Sequence, residues 1–161
     1  MLFLVFQVGD NRYAIDAWHT VEILPLVCWN SVVGAPAGVA GVFNYHGTPV
    51  PLIDLSELMT QQPSRTWMST RIILVRRERK ATDGTRLLGL LAEQVTETLR
   101  LNEEDFRHPA VANNNAPYLG RIAVHPAGMI QRIEVTNLLP AEFQGQALQQ
   151  ENEAVRCDSP T

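Results

Sequence analysis

Apolar residues arrive in short bursts separated by turn-forming residues. Leu2 to Val8 (LFLVFQV) is β-branched and aromatic, and Gly9 and Asp10 follow, so a strand running into a turn is predicted. Both faces of this strand are mostly apolar, the pattern of a strand covered on two sides. Tyr13 to Ile15 restarts an extended run and makes the opening a hairpin. Asp16 is placed to cap a short helix through Ala17 to Thr20, after which Val21 to Leu24 is extended and Pro25 ends the run.

Four glycines fall between Gly34 and Gly47, with Pro36 among them, which disfavours a helix interior. A turn at Pro36, a tight strand from Val39 to Tyr45 and a hairpin connection at His46-Gly47 are predicted instead. The next run, Pro49 to Ile53, carries two prolines at alternate positions and reads as an edge or bulged strand. Asp54 with Glu57 three residues on has capping-box spacing for a short helix. Gln61 to Ser69 is a polar loop. Arg71–Val75 and Arg86–Ala92 flank a long polar tip, Arg76 to Thr85, and form a hairpin, with Gly89 taken as a backbone turn. A separate alternating run follows from Val95 to Leu101, then a helical turn at Asn102–Asp105. An exposed loop covers His108 to Pro117. A last hairpin pairs Tyr118–Val124 with Met129–Val135, and Thr136–Leu139 forms a final turn. Eight to ten short strands with few helices define an all-β domain. It spans residues 1–142, and a polar tail over 143–161 is expected to be disordered or a frayed helix.

Length and composition narrow the class. The chain has 161 residues, about one domain. Its net charge of −4 argues against a phosphate-driven nucleic-acid binder. Charged residues make up 19%, below the typical figure of about 25%. No apolar stretch approaches the roughly 18–20 residues of a membrane span, and no signal peptide is present, so a cytoplasmic protein is expected. Cys28 and Cys157 lie far apart in sequence, without metal-ligand spacing, and are expected to be free thiols.

Candidate chemistry is sparse. There is no phosphate loop, and the glycines at 34, 38 and 41 are wrongly spaced for a dinucleotide fingerprint. Histidines 19, 46, 108 and 125 include no pair at metal spacing, so neither a metal nor a cofactor is expected. His46 with Asp54 and Glu57 is the one constellation that could serve a small β-barrel enzyme or ligand-binding protein. Asp54 is better explained as a helix cap. The basic cluster Arg76 to Lys80 reads as a solvated hairpin tip. A full-sized β domain without a convergent polar cluster points to a binding or scaffold module.

The order of five segments is more specific: FLVFQVGDNRYAID, VEIL, GAPAGVAGVFNYHGTPVPLIDL, RIILV with GLLAEQVTETL, and MIQRIEV. Together they resemble the CheW-type chemotaxis coupling proteins over about residues 2–140. The resemblance implies two interlocked SH3-like five-stranded β-barrels with a hydrophobic core between them. It implies no catalytic activity, and an adaptor role between the cytoplasmic tip of a methyl-accepting chemoreceptor and the regulatory domain of a CheA-type histidine kinase. Such an adaptor is cytoplasmic and recruited to membrane-bound receptor arrays. The same fold also occurs as the regulatory domain of the kinase itself. By resemblance, the stretch Thr20, Val21, Glu22 and Ile23 faces partners, as do Gly41, Asn44, His46 and Gly47. His46 stands where the family's Asn-Leu-Arg-Gly turn has arginine, and a neutral imidazole offers no permanent forked cation. The wording NYHGTPVPLIDLSEL and LLGLLAEQVTETLR is most similar to coupling proteins of Wsp-type surface-sensing systems, whose kinase feeds a cyclic-di-GMP synthase.

Overall fold

The computed structural model describes residues 1–77, 86–111 and 115–138, with the backbone of Val155–Arg156. Strand β1 (Leu2–Val8) turns at Gly9-Asp10 into β2 (Asn11–Asp16), pairing Val8 with Asn11. The Asp16 carboxylate then accepts the Trp18 amide and caps a single helical turn, Ala17–His19, that delivers the chain into β3 (Thr20–Leu24). A two-residue β4 (Trp29–Asn30) precedes the hairpin of β5 (Val39–Tyr45) and β6 (Thr48–Asp54). The turn into β5 is closed by the Val39 amide donating to the Pro36 carbonyl. Asp54 caps α1 (Leu55–Thr60), as its spacing to Glu57 predicts.

Strand β7 (Arg71–Arg77) pairs with β8 (Arg86–Arg100), whose fifteen residues tie the molecule together. The first half of β8 lies between β7 and β6, which runs parallel to it; the second half pairs antiparallel with β1. Two separate runs were expected here. They join because a bulge at Gln94, with φ +50°, bends one strand instead of ending it. Strands β9 (Phe106–Arg107), β10 (Leu119–His125) and β11 (Gly128–Ile133) complete the first sheet, ordered β8-β1-β2-β11-β10-β9, with β11 parallel to β2. The second sheet holds β3, β7, β8, β6, β5 and β4.

Side chains sort by strand alternation into three cores. Phe3, Val5, Ala14, Phe106 and Ile130 fill the first barrel, while Phe43, Val50, Leu52, Ile72 and Leu74 fill the second. Between them lies a larger cluster that takes the alternate residues of the same strands: Leu4, Phe6 and Val8 from β1, Ile73 and Val75 from β7, Leu88 and Leu90 from β8. The apolar character of β1 on both faces therefore has its expected cause. The fold is all-β, two barrels around a shared interface.

Four expectations need correction. Strand β6 is not an edge strand along its length, because Leu52–Asp54 pair with β8; Pro49 and Pro51 sit in the half that lacks this second neighbour. Gly89 is not at a turn. It lies inside β8, where the Phe43 ring packs so closely that a Cβ would meet its edge at 2.4 Å. Cys28 is disulfide-bonded rather than free, and no cysteine among the described residues is free. Part of the polar tail is ordered as strand β12 (Val155–Arg156), antiparallel to β4. This return of the chain beside Cys28 is what linear distance in the sequence conceals. The rest of the tail, the tip residues 78–85 with Lys80, and Asn113 and Asn114 lie outside the described residues.

Candidate docking surface

Among the described residues strand β3 pairs only with β7, which leaves its other edge without a strand partner there. Its register with β7 slips between Thr20 and Glu22, so Val21 is a bulge residue. A regular half-buried strand hides every second side chain; the bulge breaks that alternation. Val21, Glu22 and Ile23 are consequently exposed in succession, the two aliphatics at 40% and 45%. Trp18, in the helical turn just before β3, is 83% exposed. Thr20 is half-buried, and its hydroxyl is buried without a hydrogen-bond partner among the described residues, so it belongs to the base of the strand rather than to the exposed strip.

The β5–β6 turn is linked to this strip through the side chain of Tyr45. His46 and Gly47 both have positive φ, +49° and +87°, the two-residue type I′ geometry that suits the twist of paired strands. The Gly47 amide donates to Asn44 Oδ1 at 2.7 Å, which braces the turn from within. Tyr45, its ring edge-on to His46 at 4.5 Å, donates its hydroxyl to Glu22 Oε2 at 2.7 Å. That bond joins β5 to β3 across the open side of the second barrel. It also raises the pKa of the Tyr45 phenol, since a phenolate there would lose the hydrogen bond and face the Glu22 charge.

Val21, Glu22, Ile23, Asn44, His46 and Gly47 are thus brought to one side of the second barrel. Gly41 is not: it is buried, and its Cα packs against the Asn30 carbonyl of β4, which leaves no room for a Cβ. Two residues were missed. Tyr45 reaches Glu22 from one position before the site where an arginine was expected to matter. Trp18 follows a capping aspartate, a pattern that places an aromatic at the mouth of the exposed strand.

The alternative constellation of His46, Asp54 and Glu57 does not assemble. His46 precedes β6 and Asp54 ends it, which separates them by about 20 Å of extended chain. Asp54 is buried and fully occupied, accepting from the amides of Ser56, Glu57 and Ser64 and from the Ser64 hydroxyl. Asp54 and Glu57 do border an open cleft of about 800 Å³, with Trp29, Arg65 and Trp67, but His46 is remote from it. Among the described residues no three metal-ligating side chains converge, and no helix is long and apolar enough to cross a membrane.

Two barrels sharing a strand and a core, with a bulged open edge on one of them, define a CheW-like fold. A CheW-like domain matches residues 2–143, and the chain belongs to that family. It is 29% identical to the chemotaxis protein CheW of Helicobacter pylori over 119 residues, 72% of this chain and 68% of that one. It is 28% identical to CheW of Klebsiella aerogenes over 87% of this chain and 82% of that one. Among solved structures, the scaffolding protein TtCheW of Thermoanaerobacter tengcongensis superposes with a TM-score of 0.72 at 22% identity, covering 83% of this chain and 84% of that one.

Proposed function

We propose that this protein is a non-catalytic adaptor that couples the cytoplasmic tip of a methyl-accepting chemoreceptor to the regulatory domain of a CheA-type histidine kinase. The observation that carries the reading is the exposed strip Val21–Ile23 clasped to the Asn44–Gly47 turn. An open strand edge flanked by exposed aliphatics and Trp18 is a surface for another protein, because interface centres favour apolar and aromatic side chains over charge. Engaging receptor and kinase together raises the local concentration of one at the other. The receptor state then biases the kinase through unequal contacts with its two states. The protein is cytoplasmic on this reading and gathers at receptor arrays. The segments NYHGTPVPLIDLSEL and LLGLLAEQVTETLR support placing it in a surface-sensing pathway that feeds cyclic-di-GMP synthesis.

The test is binding of the purified protein to the histidine kinase and to the receptor cytoplasmic fragment encoded in the same system. Both are expected to bind, and the double substitution Val21→Asp with Ile23→Asp to abolish at least one interaction while far-UV circular dichroism stays unchanged. Absence of binding to either partner at tens of micromolar overturns the reading.

A further inference from the structure

The residues of the docking surface come from two elements that share no strand pairing. Among the described residues β3 is hydrogen-bonded along its backbone to β7 alone, and the β5–β6 turn belongs to a hairpin whose backbone partners are β4 and β8. A side-chain hydrogen bond from Tyr45 to Glu22, twenty-three positions apart, links the strip to the turn. The turn needs no help from that bond, since Asn44 braces it and its two positive-φ residues set its shape. Nor does the core depend on it: the Tyr45 ring packs against the second barrel's core, while the hydrogen bond itself is exposed. The bond serves the alignment of two surface segments and of the Glu22 carboxylate between them.

Charge on this surface is one-sided. The stretches 20–24 and 44–47, TVEIL and NYHG, carry one carboxylate, one histidine and no lysine or arginine. The Tyr45 hydroxyl occupies one oxygen of Glu22 and leaves the other to accept from a partner, between the exposed side chains of Val21 and Ile23.

We propose that Tyr45 is the positioning residue of this docking surface, and that through Glu22 it selects a partner segment presenting aliphatic side chains around a single arginine or lysine. The inference rests on the adaptor reading and names what that surface accepts. Tyr45 acts through Glu22, so removing its hydroxyl matters only while the carboxylate is there to be aligned.

A double-mutant cycle measures this. Wild type, Tyr45→Phe, Glu22→Ala and the double variant are titrated against the purified kinase and the receptor cytoplasmic fragment of the same system. Tyr45→Phe alone is expected to weaken one partner about three- to tenfold, the scale of one hydrogen bond, and to weaken nothing further once Glu22 is alanine. Glu22→Gln, whose amide oxygen still accepts the phenol, is expected to keep the sensitivity to Tyr45→Phe while losing the salt dependence of binding. Melting temperatures are expected to stay within about 2 °C of wild type, because the bond is at the surface. An equal loss from Tyr45→Phe with and without Glu22, or no loss in either background, overturns the role of Tyr45 and leaves the adaptor reading standing. A wild-type protein that binds neither partner overturns both. Spectroscopic titration of the tyrosines gives a readout apart from binding. Glu22→Ala, which removes both the hydrogen bond and the charge, is expected to bring the Tyr45 ionisation down towards its ordinary value, and an unchanged titration would show that the two residues do not meet in solution.

Discussion

Gly89 illustrates how one missing side chain shapes a core. It faces the Phe43 ring inside the second barrel, with Leu52 also near. Gly89→Ala is expected to destabilise the protein by about 1–3 kcal/mol through overpacking, seen as a lower urea midpoint with an unchanged slope. Asp54 carries a different burden. Capping α1 and holding Ser64 together, it is buried with every hydrogen bond made, so Asp54→Ala is expected to cost about 2–3 kcal/mol by equilibrium denaturation. The cap was legible in the sequence, because an aspartate three residues before a glutamate has a local physical meaning. The bonds to Ser64 were not, since a loop folding back over ten residues leaves no periodic trace. Gly89 was misread as a turn for the same reason: the need for a bare Cα comes from Phe43, forty-six positions away in sequence.

At the scale of elements, the information lies in which face each residue serves. Strands β1 and β7 both send odd and even residues to different cores, and for β1 the apolar run on both faces pointed correctly to burial on both sides. The hairpins β1–β2, β5–β6 and β10–β11 were equally legible, because each is closed by its own turn residues. What the sequence concealed was the bulge in β8. Gln94 holds φ +50° in an otherwise regular strand, where glycine carries no steric penalty. Gln94→Gly is expected to be neutral or to raise stability by up to about 1 kcal/mol, whereas Gln94→Val is expected to lower it by about 1–2 kcal/mol. Thermal melts of the pair decide whether the bend is imposed by the fold. The bulge at Val21 was hidden in the same way, and with it the reason three successive residues of β3 face outward.

The whole molecule also has an electrostatic joint. Arg132 of β11, largely buried, lies over the rings of Phe3 and Phe106 at 5.4 and 5.9 Å, and it reaches Asp16 at 3.5 Å and Glu103 at 3.1 Å. Arg121 pairs with Glu103 as well. Hydrogen bonds from Arg132, then from Arg121, hold the Glu103 carboxyl below its ordinary pKa. A carboxylate lowered on folding stabilises the fold above its unfolded pKa, and that contribution is lost as pH falls through the folded value. Glu103→Gln is therefore expected to leave wild type more stable than the variant at pH 7, with the gap closing below about pH 4.5 in acid-denaturation curves. None of this cluster was legible beforehand, because Asp16, Glu103 and Arg132 come from three distant parts of the chain, and the local reading of Asp16 as a cap and of Glu103 as part of a helical turn says nothing of their meeting. The parallel pairing of β2 with β11 sets a further consequence in time. Arg12 meets Ile130, so the first barrel cannot close until the chain has been synthesised through β11. The β1–β2 hairpin, with Phe3, Val5 and Phe6 already made, must wait without these partners while the residues up to β11 are added. This apolar stretch is thus made well before its cover, and a nascent chain halted before residue 133 leaves it exposed to aggregation.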